Sequence, residues 1–142
     1  MSHLSKRRVE FSDTDMAGIA HFSRFFLWME QAEHDFLEAR GLSVVFEVDG
    51  CRHGFPRVSA SCDYQRPVRY RDWLDIVVTL ESVGRSSLQY RFDFTVEGEP
   101  TAVVATGKMS TCLCKLGLDG MRSTPLSDRM REQLQADPGK AV

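Results

Sequence analysis

Val9-Glu10-Phe11-Ser12-Asp13-Thr14-Asp15-Met16-Ala17-Gly18-Ile19-Ala20-His21-Phe22, followed by the amphipathic run 23–40, is the stretch around which this chain is organised. It reads as a short strand, a turn with two carboxylates and a glycine, and the first turn of a helix. A helix start carries unpaired N–H groups and partial positive charge, so it can hold an anion or the oxygen of a polarised carbonyl. A carboxylate just ahead of it is placed to act on whatever is held. The same residues also have a plain reading, because Asp, Thr and Ser cap helices and shape turns. One cap needs one side-chain oxygen, however, and Ser12, Asp13, Thr14 and Asp15 supply several. Gly18 suits either a sharp reversal or close approach by a ligand.

Upstream, residues 1–6 are polar and expected to fray, and residues 7–11 form a short strand with Val9 and Phe11 on one side. Downstream, Phe22, Phe25, Phe26, Met29, Ala32, Phe36 and Leu37 recur at three- and four-residue steps, the pattern of a helix packed on a core. Leu27 and Trp28 widen the stripe, which predicts a largely enclosed helix. Gly41 stands where a left-handed terminator belongs, and residues 43–49 read as a short helix or an irregular loop.

After Gly54 the period changes to two. Val58, Ala60, Cys62 and Tyr64 alternate with polar residues, as do Leu74, Ile76, Val78 and Leu80, and then Leu88, Tyr90, Phe92, Phe94 and Val96. Each reads as a strand with one buried face, and short connections such as Gly84-Arg85-Ser86 favour antiparallel neighbours. Residues 101–115 read as another long strand. Residues 124–136 read as a C-terminal helix with Pro125 in its first turn, ended by Pro138 and Gly139.

At 142 residues the chain is expected to be a single α+β domain, residues 1–142, with about five antiparallel strands wrapped around one long central helix. Such a sheet leaves open edges, so a second copy is expected to pair with it, as a homodimer or homotetramer. Eighteen basic and 20 acidic residues without long like-charge blocks argue against nucleic acid or a membrane surface as partner. Cys51, Cys62, Cys112 and Cys114 lack framework or zinc-ligand spacing, so free thiols, a reducing cytoplasm and no metal are expected. No Gly-x-Ser-x-Gly elbow or dinucleotide loop is present, and no cofactor is expected. Glu33 and His34 fall on the polar side of the helix, where solvation is the simple expectation.

Residues 11–22, the helix behind them and Pro67-Val68-Arg69-Tyr70-Arg71-Asp72-Trp73-Leu74 resemble the hydroxybenzoyl-coenzyme A thioesterase-like acyl-CoA thioesterases, which have the hotdog fold. The resemblance implies that Asp15 is the catalytic carboxylate. It also implies that the backbone N–H of Phe22 polarises the thioester carbonyl while Gly18 admits the substrate. Many relatives have histidine at the position held here by Phe22; this chain has it one place earlier, as His21, so a catalytic role for His21 is an expectation with a shifted address. The resemblance further implies that coenzyme A phosphates meet Arg85 and Ser86 in the Gly84-Arg85-Ser86-Ser87 turn, with Arg66, Arg69 and Arg71 as weaker candidates, and that the sites lie at a subunit interface. The expected activity is hydrolysis of an acyl-CoA, with Asp15 as general base or nucleophile. Two alternatives stay open: a hotdog module that binds acyl-CoA or acyl carrier protein without turnover, and an enoyl-thioester hydratase.

Overall fold

In a computed structural model that describes residues 1–136, the chain forms nine strands and two α-helices. The first layer is a five-stranded antiparallel sheet in the order β1-β5-β6-β7-β4, made of β1 (Ser2–Arg8), β4 (Arg57–Tyr64), β5 (Trp73–Val83), β6 (Ser87–Val96) and β7 (Val103–Cys112). A second sheet, in the order β2-β3-β8-β9, contains β2 (Val45–Val48), β3 (Cys51–Gly54), β8 (Cys114–Gly117) and β9 (Gly120–Ser123). Helix α1 spans Arg24–Glu38 and α2 spans Asp128–Gln135.

The two-residue period of β5 and β6 buries Leu74, Ile76, Val78, Leu80, Leu88, Tyr90, Phe92 and Phe94 on one face. Helix α1 lays Phe25, Trp28, Met29, Ala32, Phe36 and Leu37 on that face, a three-and-four spacing that keeps them on one side of the helix. Phe25 meets Phe94 edge to face with ring centroids 5.2 Å apart, and Phe36 meets Tyr90 at 5.7 Å. Over β7 the helix approaches so closely that a Cβ on Gly107 would sit 2.6 Å from the Met29 sulfur, so any side chain there requires Met29 to shift. Gly41, at φ 74°, ends the helix, with the Leu42 N–H returning to the Leu37 carbonyl.

Several expectations change. Residues 2–6 do not fray: β1 pairs with β5 from Ser2 to Arg8, because the edge of β5 offers a full ladder of partners. The chain leaves extended pairing before residues 9–11, and Phe11–Asp13 forms a 3₁₀ turn instead of finishing a strand. Residues 43–49 contain strand β2 rather than a helix. The long strand expected over 101–115 breaks at Leu113, whose N–H bonds the Ser86 carbonyl at 2.7 Å and whose side chain is buried, so the chain crosses there from one sheet to the other. Nine strands in two sheets thus replace a single sheet of about five. Strand β4 has no buried face despite its alternation, with Val58 69 % exposed, because it lies at the sheet edge with only β7 beside it. Phe22, Phe26 and Leu27 are likewise open, so α1 is enclosed on the sheet side only.

The C-terminal helix starts at the Ser127 cap, whose Oγ accepts from the Met130 N–H, and buries Leu134. Its Arg131 donates to the Gly84 carbonyl at 2.8 Å, which ties α2 to the β5–β6 turn. Pro138 and Gly139, expected to end it, lie outside the described residues. No helix among the described residues is long and apolar enough to cross a membrane.

Candidate active site

The acidic turn is built mostly from its own oxygens. An Asp13 carboxylate oxygen accepts the Glu10 N–H at 2.8 Å, and Thr14 Oγ1 donates to the Phe11 carbonyl at 2.7 Å. These two residues therefore close the turn, as the capping reading anticipated. Arg24 holds it from the helix side, bonding the Ser12 carbonyl at 2.9 Å and lying 3.6 Å from Asp13. Asp15 differs. Its Oδ1 accepts the Ala17 N–H at 2.8 Å, while Oδ2 has no partner among the described residues. A tight loop carries it: the Asp15 N–H bonds the Ile19 carbonyl, and the Gly18 N–H bonds the Asp15 carbonyl, with Gly18 at φ 79°. The loop is fastened to residues 67–72 through Ala20 N–H to Val68 carbonyl at 2.8 Å and through Val9 with Asp72 and Arg71.

Asp15 lies between two cavities. One, of about 470 Å³, is walled by Ile19, Ala20, Phe22, Phe25, Tyr64 and Val68, with Gln65 and Arg66 at its polar side. The other, of about 560 Å³, is bounded by Phe11, Thr14, Met16, Gly18 and Tyr70. At the start of α1 the N–H groups divide in the same way as the turn oxygens. That of His21 bonds the Asp13 carbonyl, that of Ser23 the His21 ring, and that of Arg24 the His21 carbonyl. The Phe22 N–H has no partner among the described residues, and Phe22 borders the first cavity. Asp15 and Phe22, a carboxylate with one free oxygen and a free backbone donor, thus share the first cavity, while Gly18 joins Asp15 on the second.

His21 is beside them but engaged elsewhere. Its Nδ1 lies 2.7 Å from Ser23 Oγ and accepts the Ser23 N–H at 3.3 Å. His21 borders neither cavity. Arg85 and Ser86 are not brought to Asp15 within one chain. They sit in the β5–β6 turn, at the far end of an 11-residue strand from Trp73, a span of about 35 Å at the usual rise. Arg66 borders the first cavity and lies 3.7 Å from Glu99.

Two residues escaped the sequence reading. Tyr64, 42 positions from Phe22, donates its hydroxyl to the Phe22 carbonyl at 2.9 Å. Glu33, expected in solvent, has a fully buried side chain; Arg57 meets its Oε1 at 2.6 Å and Oε2 is unpartnered. Burial pushes the Glu33 carboxyl up to about 7, against the pull of Arg57. Local sequence holds no sign of either, because both depend on β4 arriving beside α1. Among the described residues no group of three His, Cys, Asp or Glu side chains could hold a metal ion, and the four cysteines are free.

Comparison with known proteins fits this geometry. The family model of the thioesterase superfamily matches residues 17–103. A 1,4-dihydroxy-2-naphthoyl-CoA hydrolase from Prochlorococcus marinus (strain MIT 9303) is 31 % identical over 106 residues, 70 % of each chain. Among solved structures, a gentisyl-coenzyme A thioesterase superposes with a TM-score of 0.79 at 26 % identity, over 93 % of this chain and 99 % of that one. A mutant of 4-hydroxybenzoyl-CoA thioesterase, complexed with 4-hydroxybenzoyl-CoA, shares the fold with a TM-score of 0.81 at 17 % identity, over 94 % and 99 %. The chain belongs to the thioesterase superfamily. It is a thioester hydrolase with the hotdog fold of that superfamily, an α+β architecture of antiparallel sheets.

Proposed function

We propose that this protein is an acyl-CoA thioesterase in which Asp15 and the Phe22 N–H act on the two sides of one thioester. The observation that carries this reading is that Asp15, with its unpartnered Oδ2, and Phe22, with its unpartnered N–H, line one cavity. The carbonyl oxygen docks on the Phe22 N–H at the positive end of α1, and that donor stabilises the oxyanion as the tetrahedral intermediate forms. Asp15 either takes a proton from the attacking water or attacks the carbonyl itself, giving a mixed anhydride that water opens. In both routes the C–S bond breaks, coenzyme A leaves as thiolate and gains a proton, and the free acid remains. Gly18 keeps a side chain away from the approaching thioester. His21, expected from the resemblance to be catalytic, takes no step in either route, its ring being held by Ser23 outside the cavity.

The rings of Phe22, Phe25 and Tyr64 around an apolar cavity of about 470 Å³ support an aromatic acyl group. Relatives named for naphthoyl- and gentisyl-CoA substrates support the same class.

In this reading the active assembly is at least a dimer, with residues 1–142 of each copy as one domain and α1 as the central helix around which the sheet curls. Edge strand β4 has one end at the site, where Tyr64 reaches Phe22. Its other end, at Arg57, lies across β7 from Leu88, next to the 84–87 turn. Antiparallel pairing of β4 with its two-fold copy exchanges these ends. The Asp15 end then faces Arg85 of the partner subunit, available for coenzyme A phosphate, with Ser86 beside it in the same turn. Four free thiols suit a reducing cytoplasm.

The test is thiol release from a panel of aromatic and aliphatic acyl-CoAs by the wild type and by Asp15→Asn. Loss of about 10²-fold or more in kcat is expected for the variant. Hydrolysis at the wild-type rate by Asp15→Asn would remove Asp15 from the mechanism.

A further inference from the structure

The geometry points to Tyr64 as a positioning residue for the oxyanion donor: its hydroxyl, reaching from β4, holds the Phe22 carbonyl, which fixes the peptide on the C-terminal side of Phe22 and, through the shared Cα, restrains the residue that carries the donor N–H. This inference rests on the thioesterase reading above and adds a residue that neither the acidic turn nor the helix contains.

Three observations carry it. First, the Phe22 carbonyl at the start of α1 is weakly held by the helix itself. Ser23 stands at the cap position but makes no side-chain capping bond, its hydroxyl being turned to His21. The first intrahelical bond to the Phe22 carbonyl, from the Phe25 N–H, is long at 3.4 Å. The Tyr64 bond to the same oxygen, at 2.9 Å, is the shorter of the two. Second, the tyrosine is itself fixed. Its ring packs edge to face on Phe25 with centroids 5.1 Å apart, and its backbone is laddered to β7 opposite Ala105. Third, Tyr64 and Phe22 border the same cavity as Asp15, so an error in the placement of Phe22 is felt at the reacting carbonyl. Partial desolvation, with Cys62 adding to it, pushes the Tyr64 hydroxyl up to about 12, so it remains a donor throughout the working pH range.

The experiment compares the wild type with Tyr64→Phe, which keeps the ring and the cavity wall and removes only the donor. With an aromatic acyl-CoA, kcat is expected to fall roughly 5- to 30-fold, between the loss of one neutral hydrogen bond and the loss of a whole oxyanion donor. KM should stay within about twofold, and the ratio of the two kcat values should stay constant from about pH 6 to 9.

A second readout sees the carbonyl directly. Only two phenylalanines, Phe11 and Phe22, precede a serine, so carbonyl-13C phenylalanine combined with 15N serine gives two selected amide signals. In Tyr64→Phe the Phe22–Ser23 signal should move and the Phe11–Ser12 signal should not. Unchanged kcat, or a rise in KM alone, overturns the proposal and leaves Tyr64 as a cavity wall while the thioesterase reading stands. An unmoved Phe22–Ser23 signal overturns it as well. A wild type that releases no thiol from any acyl-CoA overturns both.

Discussion

Replacing Glu33 by Gln should make the protein markedly more stable than wild type at alkaline pH, and much less so in acid. Glu33 is a buried residue of α1, with one oxygen on Arg57 and the other without a partner. Burial raises its carboxyl from 4.5 to about 7; Arg57 opposes the rise and Glu30 adds to it. Below 4.5 the folded and unfolded chains both hold the proton, and the group contributes nothing that depends on pH. Between 4.5 and about 7 the unfolded chain releases the proton while the folded chain keeps it, so stability falls as pH rises. Above that window the loss levels off at about 3 kcal/mol, an order-of-magnitude figure.

Gln accepts from Arg57 as Glu does, but carries no charge at any pH. It also offers a donor near the buried Tyr90 hydroxyl, which has no partner and feels the Glu33 charge. Urea unfolding of both proteins at about pH 5 and pH 8, at one fixed protein concentration, measures the effect. The advantage of Gln over Glu should grow by about 2.5 kcal/mol between the two conditions, or roughly 10 °C in Tm for a chain of this size. Parallel pH dependence in the two proteins would refute the reasoning, because it would mean that Arg57 keeps Glu33 ionised throughout.

Three further outcomes are expected. His21→Ala should lower kcat by less than about tenfold, since the ring is occupied by Ser23; a loss of 10²-fold or more would restore a direct acid–base role. Arg85→Ala should raise KM for acyl-CoA by roughly tenfold, about 1.4 kcal/mol, with kcat unchanged; an unchanged KM excludes the phosphate contact. Gly107→Ala should cost about 1–3 kcal/mol in urea unfolding, because the added Cβ would fall 2.6 Å from the Met29 sulfur and 2.9 Å from its methyl carbon. An undisturbed unfolding midpoint would mean that the methionine moves aside without cost.

What the sequence by itself determined was whatever depends on neighbours along the chain. The period of α1, the alternation of β5 and β6, the Gly41 terminator and the turn carrying Asp15 are all local, because helix faces, strand faces and positive-φ turns are set by residues within a few positions. Redundancy in the acidic turn signalled more oxygens than one cap needs, but which of them close the turn was decided by the structure: Asp13 and Thr14 do, and Asp15 keeps one oxygen free.

The tertiary structure decided everything that alternation cannot encode. A two-residue period states that a strand has two faces, not that a neighbour covers either one, so β4 reads like β5 in sequence and yet is open at the sheet edge. A polar residue on a helix is expected in water unless a partner arrives from far away, and Arg57 does so for Glu33. Tyr64 bonds Phe22 across 42 positions for the same reason. The separation of Arg85 from Asp15 by the length of β5 is likewise a property of the sheet. Proximity along the chain follows from covalent geometry, but proximity between distant segments is fixed by how the sheet stacks on its helix.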